Sequence, residues 1–242
     1  MKKLLIFVVT YKASFRIFKL IDKIPFKKMS KVYFKVLISD DNSEDITLKY
    51  ISNLKLKYGS KIQLNFNKKN IGYGANIKKC IKYAYKNGYD YAAMLHGDNQ
   101  YDPKYLNKMY VLISSNKNYS AIVGSRMANK KEALKGNMPI YKFFGNIFLS
   151  FFFNLFYSSN FTDCHTGYWM YNLSKIRKKT FIKCDDKFCF DLDLRLQLTN
   201  QKKKIKEIPI NTFYGTERSS VHIIYALRFF WKVIKYKLLN KL

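Results

Sequence analysis

The sequence of 242 residues predicts an α/β fold, a single-domain sandwich built on a mostly parallel central sheet. Three observations carry that expectation. In the first half, apolar runs of strand length alternate with segments of helical period, the βαβα order that builds parallel sheets. Three of those runs end in polar clusters, as strands of open α/β sheets do at the edge where ligands bind. Hydrophobic residues make up 48% of the chain, enough for a sizeable core and too many for a disordered one.

In order, Leu4–Thr10 is a buried-strand run. It imitates a signal peptide, but the apolar part, Leu4 to Val9, is short for one, and no small-residue cleavage site follows. Ser14–Ile24 has helical period, and Val32–Ser39 is a strand ending in Asp40-Asp41. Ile46–Lys57 is a helix, Ile62–Phe66 a strand, Ala75–Lys86 a helix and Tyr91–Leu95 a strand. Pro103–Ser115 is a helix with proline in its first turn, and Ala121–Val123 is a short strand. No Pro/Gly/Ser linker divides the chain. We expect a globular domain over 1–220 and a basic amphipathic helix over 221–242.

The second half is less regular. Residues 143–162 carry no charge, nominally enough to span a bilayer. Yet Lys142, Asn146, Ser150, Asn154 and Ser158 recur every four residues, one drifting polar stripe beside a broad aromatic face. A helix over 141–157, in the core or at a bilayer surface, fits better than a span. The C-terminal stretch sets Arg228, Lys232, Lys235, Lys237 and Lys241 beside Leu227, Phe230, Trp231, Ile234 and Leu238. Such a helix suits an anionic bilayer surface, or it packs on the domain with a solvated basic face.

The net charge of +29, from 45 basic and 16 acidic residues, favours polyanionic partners: nucleic acid, anionic lipid or phosphorylated substrates. A/T-rich codons also favour Lys, Asn, Ile, Tyr and Phe, so part of the bias is compositional. Lysine dominates over arginine, the residue preferred for reading bases, and no recognisable nucleic-acid module is present. Four cysteines without a C-x-x-C pair argue against zinc and against a disulfide framework, and fit a reducing cytoplasm.

The polar clusters are Thr10-Tyr11, Asp40 to Ser43 and His96 to Gln100. Asp98 follows a strand in a glycine-containing turn. Mg²⁺ and Mn²⁺ prefer oxygen ligands and often join one or two carboxylates to a substrate diphosphate. His96 and Gln100 lie two residues to either side, on the same face of an extended stretch. Asp40 and Asp41 could accept from a nucleobase and ribose, or cap the helix near Ile46 together with Ser43 or Asp45. The loop Asn70-Ile71-Gly72-Tyr73-Gly74 feeds a helix N-terminus, which attracts anions. Ile77 stands where a dinucleotide fingerprint needs its third glycine, and no P-loop is present.

These motifs, in this order, resemble those of family 2 glycosyltransferases: Val9-Thr10-Tyr11, Asp40-Asp41-x-Ser43-x-Asp45, Asn70-x-Gly72-x-Gly74, Gly97-Asp98-Asn99-Gln100 and Gly124-Ser125-Arg126. The resemblance continues through Thr162-Asp163-x-x-Thr166-Gly167-Tyr168, Phe190-Asp191 and Glu207-Ile208-Pro209-Ile210 before Tyr214. It points to the branch that includes dolichol-phosphate mannose synthases and related bacterial enzymes. It implies a GT-A-type, Rossmann-like fold, a UDP- or GDP-linked sugar donor, a divalent cation and inversion at the anomeric carbon. By position, Thr10, Tyr11, Asp40, Asp41, Asn70, Gly72, Gly74 and Gly97 would bind the nucleotide sugar. Asp98, with His96 and Gln100, would hold Mn²⁺ or Mg²⁺, and Arg126 would contact diphosphate or acceptor.

Two departures stand out. His96 replaces the first acidic residue of the family's D-x-D, and imidazole suits Mn²⁺ better than Mg²⁺. Ser219-Ser220-Val221 follows Arg218 where many dolichol-type members have Ser-Lys. A hydroxyl acceptor would need a general base, for which Asp163 is the first candidate and Asp191 and Asp193 the next. A polyprenyl phosphate or lipid-linked glycan acceptor would place the enzyme on the inner face of a bacterial membrane, bound to anionic lipid and not to nucleic acid. A nucleic-acid binder and an inactive family member are the rival readings.

Overall fold

The computed structural model of the chain describes residues 2–29, 32–214 and 223–239. Arg218, Ser219-Ser220-Val221, His222, Lys241 and the expected division at 220/221 lie outside the described residues.

The first half follows the expected alternation. Strands β1 (Lys3–Thr10), β2 (Tyr33–Asp40), β3 (Ile62–Phe66), β4 (Tyr91–His96) and β5 (Tyr119–Ser125) are separated by helices α1 (Arg16–Asp22), α2 (Thr47–Tyr58), α3 (Tyr73–Lys86) and α4 (Tyr105–Ser115). The second half adds α5 (Lys130–Lys135), α6 (Ile140–Tyr157), β6 (Trp169–Asn172), α7 (Lys178–Ile182), α8 (Phe190–Asn200), β7 (Lys204–Pro209) and α9 (Ile223–Leu239). The seven strands form one sheet in the order β3-β2-β1-β4-β6-β5-β7. Only β6 runs antiparallel to its neighbours.

Both faces of the sheet are covered at its centre, so β1, β4, β5 and β6 are buried nearly throughout, while the edge strands β3 and β7 keep polar, exposed positions. In β1, Leu4, Ile6 and Val8 enter the core beneath α1, α2 and α4. Leu5, Phe7 and Val9 enter the core beneath α3, α7 and α8. Parallel pairing aligns the strand ends: Thr10 lies opposite Asp40, and Val9 opposite His96. The polar clusters therefore share one edge.

Helix α8 is buried from Phe190 to Leu198, carrying Asp191, Asp193, Arg195 and Gln197 inside with it. Helix α6 turns its polar stripe inward. Ser150 Oγ accepts the Cys164 N–H at 3.1 Å, and Asn154 holds Phe161 through its N–H and carbonyl at 3.0 and 2.8 Å. The aromatic side faces outward: Tyr141, Phe144, Phe148, Phe151 and Leu155 are all exposed, Phe144 at 63%. The aromatic residues are thus divided: Phe143, Phe153 and Tyr157 are core beside the inward Ser150, and Tyr141, Phe144, Phe148 and Phe151 face outward.

Helix α9 is no detached appendage. Phe229 and Val233 are buried with Phe153, Leu192 and Leu196, and Phe230 packs edge-on against Phe152 of α6 at 4.8 Å. Lys232 Nζ bonds both oxygens of Asp193, at 2.7 and 2.8 Å. Lys232 therefore leaves the expected solvated basic face, and Asp193, candidate base though it was, is engaged by it. No helix among the described residues is long and apolar enough to cross a membrane.

Candidate active site

The carboxyl edge of the sheet is wired largely by its own acids. Asp40 accepts the Ser43 N–H at 2.7 Å and the Ser43 hydroxyl at 2.6 Å, closing the turn after β2. Ser43 Oγ accepts the Lys12 N–H at 2.8 Å, joining this turn to the end of β1. Asp45 accepts the Thr47 N–H at 3.0 Å at the start of α2. Asp41 reaches the next loop: Oδ1 accepts from Asn67 Nδ2 and the Ile71 N–H, Oδ2 from the Gly72 N–H, each at 2.9 Å.

Asn70 Oδ1 also accepts the Gly72 N–H, at 3.1 Å. Gly72 has φ of +93°, which favours glycine, and a Cβ on Gly74 would collide with the Asp185 carbonyl. The Ala75 N–H donates to Asp186 O at 2.9 Å. Both glycines thus admit the 185–187 backbone to the first turn of α3. This accounts for them without an anion at that helix N-terminus.

Asp41→Ala should strand these loop donors and cost about 1–3 kcal/mol of stability in urea unfolding. Unchanged stability with weakened nucleotide affinity in calorimetry would make Asp41 a nucleotide ligand and not a loop anchor.

At the end of β1, Thr10 is buried with its Oγ1 unpartnered, packed on Gly97. Tyr11 is exposed, with Lys12 Nζ 5.2 Å from its ring centre. After β4, Asp98 Oδ1 accepts the Gln100 N–H at 3.0 Å, an Asx-type turn that does not use Oδ2.

His96 faces inward from this turn. Its Nε2 is 2.9 Å from the Tyr73 hydroxyl, which donates to Asp191 Oδ2 at 2.7 Å. The hydroxyl has one proton to give, so beside an ionised Asp191 it is Nε2–H that donates to Tyr73. Burial lowers the proton affinity of His96, against the pull of Asp98. Asp191 Oδ1 is buried without a partner. Burial pushes Asp191 up to about 7, although Tyr73, Arg195 and Arg126 all favour its ionised form.

Arg126 and Asp163 form a two-pronged pair, with Nε to Oδ2 at 2.7 Å and Nη2 to Oδ1 at 2.8 Å. The Arg126 N–H adds a bond to Oδ2, and Nη1 donates to the Tyr214 hydroxyl at 3.2 Å. Burial works against ionisation of Asp163, and the guanidinium overrides it, holding the carboxyl at about 2. Such a group is a poor proton acceptor at neutral pH. Of the candidate bases, Asp163 is locked to Arg126 and Asp193 to Lys232, and Asp191 alone keeps an unpartnered oxygen.

The family model described as "Glycosyl transferase family 2" matches residues 6–179. The chain belongs to that family. This family 2 glycosyltransferase is 28% identical to UDP-N-acetylglucosamine–dolichyl-phosphate N-acetylglucosaminyltransferase of Methanococcus voltae, over 85% of this chain and 86% of that one. An uncharacterised protein of Methanocaldococcus jannaschii is also 28% identical, over 85% and 82%. Glucosyl-3-phosphoglycerate synthase of Mycobacterium tuberculosis with uridine diphosphate aligns with 99% of this chain and 80% of its own, at TM-score 0.66 and 9% identity. Its complex with Mn²⁺, uridine diphosphate and glucosyl-3-phosphoglycerate gives 0.64. The fold is therefore GT-A, as expected. Of the expected dolichol-phosphate mannose synthase-like, bacterial branch, the family itself is shown; these curated relatives are archaeal, and the named one is a dolichyl-phosphate N-acetylglucosaminyltransferase.

In the glycosyltransferase, no group of three or more His, Cys, Asp or Glu among the described residues could enclose a metal. Asp98 fits a cation held mainly by a substrate diphosphate, since Mg²⁺-type sites often use one or two carboxylates plus phosphates. The Tyr73 bond withdraws His96 Nε2 from that ligand set.

Two residues were not singled out from the sequence. One is Tyr73. The other is Arg195, fully buried, its guanidinium stacked 4.5 Å from the Phe161 ring centre and 4.9 Å from that of Trp169. Its Nη2 donates to Asp163 O at 3.2 Å. The signal available for Arg195 was its place one helical turn after Asp191.

Proposed function

We propose that this family 2 glycosyltransferase moves a sugar, with inversion, from a nucleotide-diphosphate sugar to the phosphate of a membrane lipid. It does so at the cytosolic face of an anionic membrane. The observation that carries the lipid acceptor is the outward aromatic face of α6 beside α9. Leu227, Trp231, Ile234 and Leu238 continue the exposed apolar surface, and Arg228, Lys235 and Lys237 accompany it. At about 1 kcal/mol for each basic residue near an anionic surface, these three contribute roughly 3 kcal/mol to docking. The Methanococcus voltae relative, named for a dolichyl-phosphate acceptor, supports the same reading.

In the reaction, an oxygen of the lipid phosphate attacks the anomeric carbon as the bond to the diphosphate breaks, and the electron pair leaves with the nucleoside diphosphate. A divalent cation at Asp98 would neutralise charge on that leaving group. A phosphate monoester loses its second proton near pH 6. The acceptor thus needs a base only for a residual proton, and Asp191 Oδ1, near neutral affinity, takes it. Exposed Tyr11 would contact the nucleoside, and Asp40 and Asp41 would shape its pocket through the turn and loop they hold.

Liposomes holding dolichyl phosphate, incubated with the protein, UDP-N-acetylglucosamine and Mn²⁺, should yield a lipid gaining one sugar on its phosphate by mass spectrometry, with UDP released in equal amount. Preferential transfer to a soluble sugar would overturn the lipid acceptor. Sedimentation tests the docking. Binding should need anionic vesicles and fall with added salt. It should also weaken when Phe144, Phe151 and Trp231 are replaced together by Ser. These substitutions are preferable to deleting α9, which would bare Phe153 and Leu192. Equal binding to neutral vesicles would remove the electrostatic half.

A further inference from the structure

The bond from Tyr73 to Asp191 spans 118 residues and a third element, because the same hydroxyl meets His96. The unit is tightly enclosed. Tyr73 and His96 meet edge to face at 5.3 Å, and His96 meets Tyr101 likewise at 5.1 Å. A Cβ on Gly167 would sit 2.5 Å from His96 Cε1, so the backbone at 167 closes the far side of the imidazole. Tyr73 is the first residue of α3, anchored by the Asp41 loop and the 185–187 backbone; Asp191 lies in the first turn of α8; His96 ends β4.

We propose that Tyr73 is a positioning residue. Its hydroxyl fixes Asp191 by Oδ2 and leaves Oδ1 as the oxygen offered to the acceptor, while His96 fixes the hydroxyl. This rests on the proposed transfer reaction and deepens it. When Oδ1 takes the acceptor's proton, Oδ2 still accepts from Tyr73, so the unit holds through turnover. The groups that bear on Asp191 are Tyr73 from α3, Arg195 from α8 itself, Arg126 from the end of β5, Tyr171 from β6 and Cys184 after α7.

The test compares Tyr73→Phe with Phe188→Leu. Phe188 is an exposed ring stacked on Tyr73 at 6.2 Å, so its loss disturbs packing and spares the hydroxyl. At about pH 5, where most of the acceptor phosphate keeps its second proton, Tyr73→Phe should lower kcat by about tenfold, with donor KM within about twofold. The hydroxyl favours ionised Asp191, so its removal raises the carboxyl's proton affinity. The acidic limb of the pH–kcat profile then moves to higher pH. The acceptor's own titration is common to both proteins and cancels in the comparison. Phe188→Leu should leave that limb in place. A Tyr73→Phe enzyme with wild-type kcat and an unmoved limb would overturn the proposal, and so would an equal shift in Phe188→Leu. Should Tyr73→Phe not fold, 3-fluorotyrosine placed at 73 keeps the shape with a stronger donor. A limb moved to lower pH supports the proposal, and an unmoved one ends it. A wild-type protein that turns over no nucleotide sugar would sink the proposed function itself, a distinguishable failure.

Discussion

Replacing Asp98 by Ala should lower kcat/KM for sugar transfer by about 10²–10³-fold, the cost typical of removing one preorganised charge-stabilising group. Asp98 is the carboxylate after β4 whose Oδ2 belongs to the proposed cation site, with Oδ1 spent on the Gln100 N–H. The side chain is only partly buried, and its loss removes one turn bond. The variant should therefore melt within a few degrees of wild type, separating lost chemistry from lost structure. Millimolar Mn²⁺ should not restore activity, because the chain would then offer no carboxylate beside the diphosphate. Full activity in Asp98→Ala would remove Asp98 from the proposed cation site and leave the diphosphate to protein cations alone.

The largest stability effect should come from Arg126→Ala. Asp163 is fully buried, and Arg126 satisfies both its oxygens. Removing one partner of a buried ion pair typically costs about 3–5 kcal/mol, because the other charge stays unpaired in a poor solvent. For a domain of this size that is a drop in Tm of about 6–20 °C. The pair also sets an acid limit. The folded Asp163 carboxyl lies at about 2, below its ordinary 3.8. Its stabilisation is complete above pH 4 and drains away as pH falls towards 2. Wild type should lose stability across that window, and Arg126→Ala should show a shallower loss there. The double variant Arg126→Ala/Asp163→Ala should recover part of the deficit, since no charge is then stranded. Equal stability of Arg126→Ala and wild type at pH 7 would show that the pair contributes no net stability.

The sequence by itself determined what depends on short spans. Runs such as Leu4–Thr10 and Tyr91–His96 are strands because neighbouring residues alternate across a sheet covered on both faces. Their polar ends share an edge because parallel strands carry their ends together. Thr10, Asp40 and Asp98 were legible as edge residues, and the order of motifs pointed to the family and, through it, to Arg126. Alternation also misleads: Phe190-Asp191-Leu192-Asp193-Leu194-Arg195-Leu196 has the period of a strand. It folds as α8, because a helix enclosed on every side accepts any period once its polar groups find partners. Those partners are the tertiary structure's decision. Asp163 meets Arg126 across 37 residues, Asp193 meets Lys232 across 39, and Tyr73 meets Asp191 across 118. No local spacing records such pairs. They left Asp191, and not Asp163, with a buried oxygen that has no partner. The same holds for α6, whose stripe was legible while its direction was not. Ser150 and Asn154 meet the hydrogen-bonding groups of Cys164 and Phe161, which turns them inward with Phe153 and Tyr157 and leaves Phe144, Phe148 and Phe151 outside.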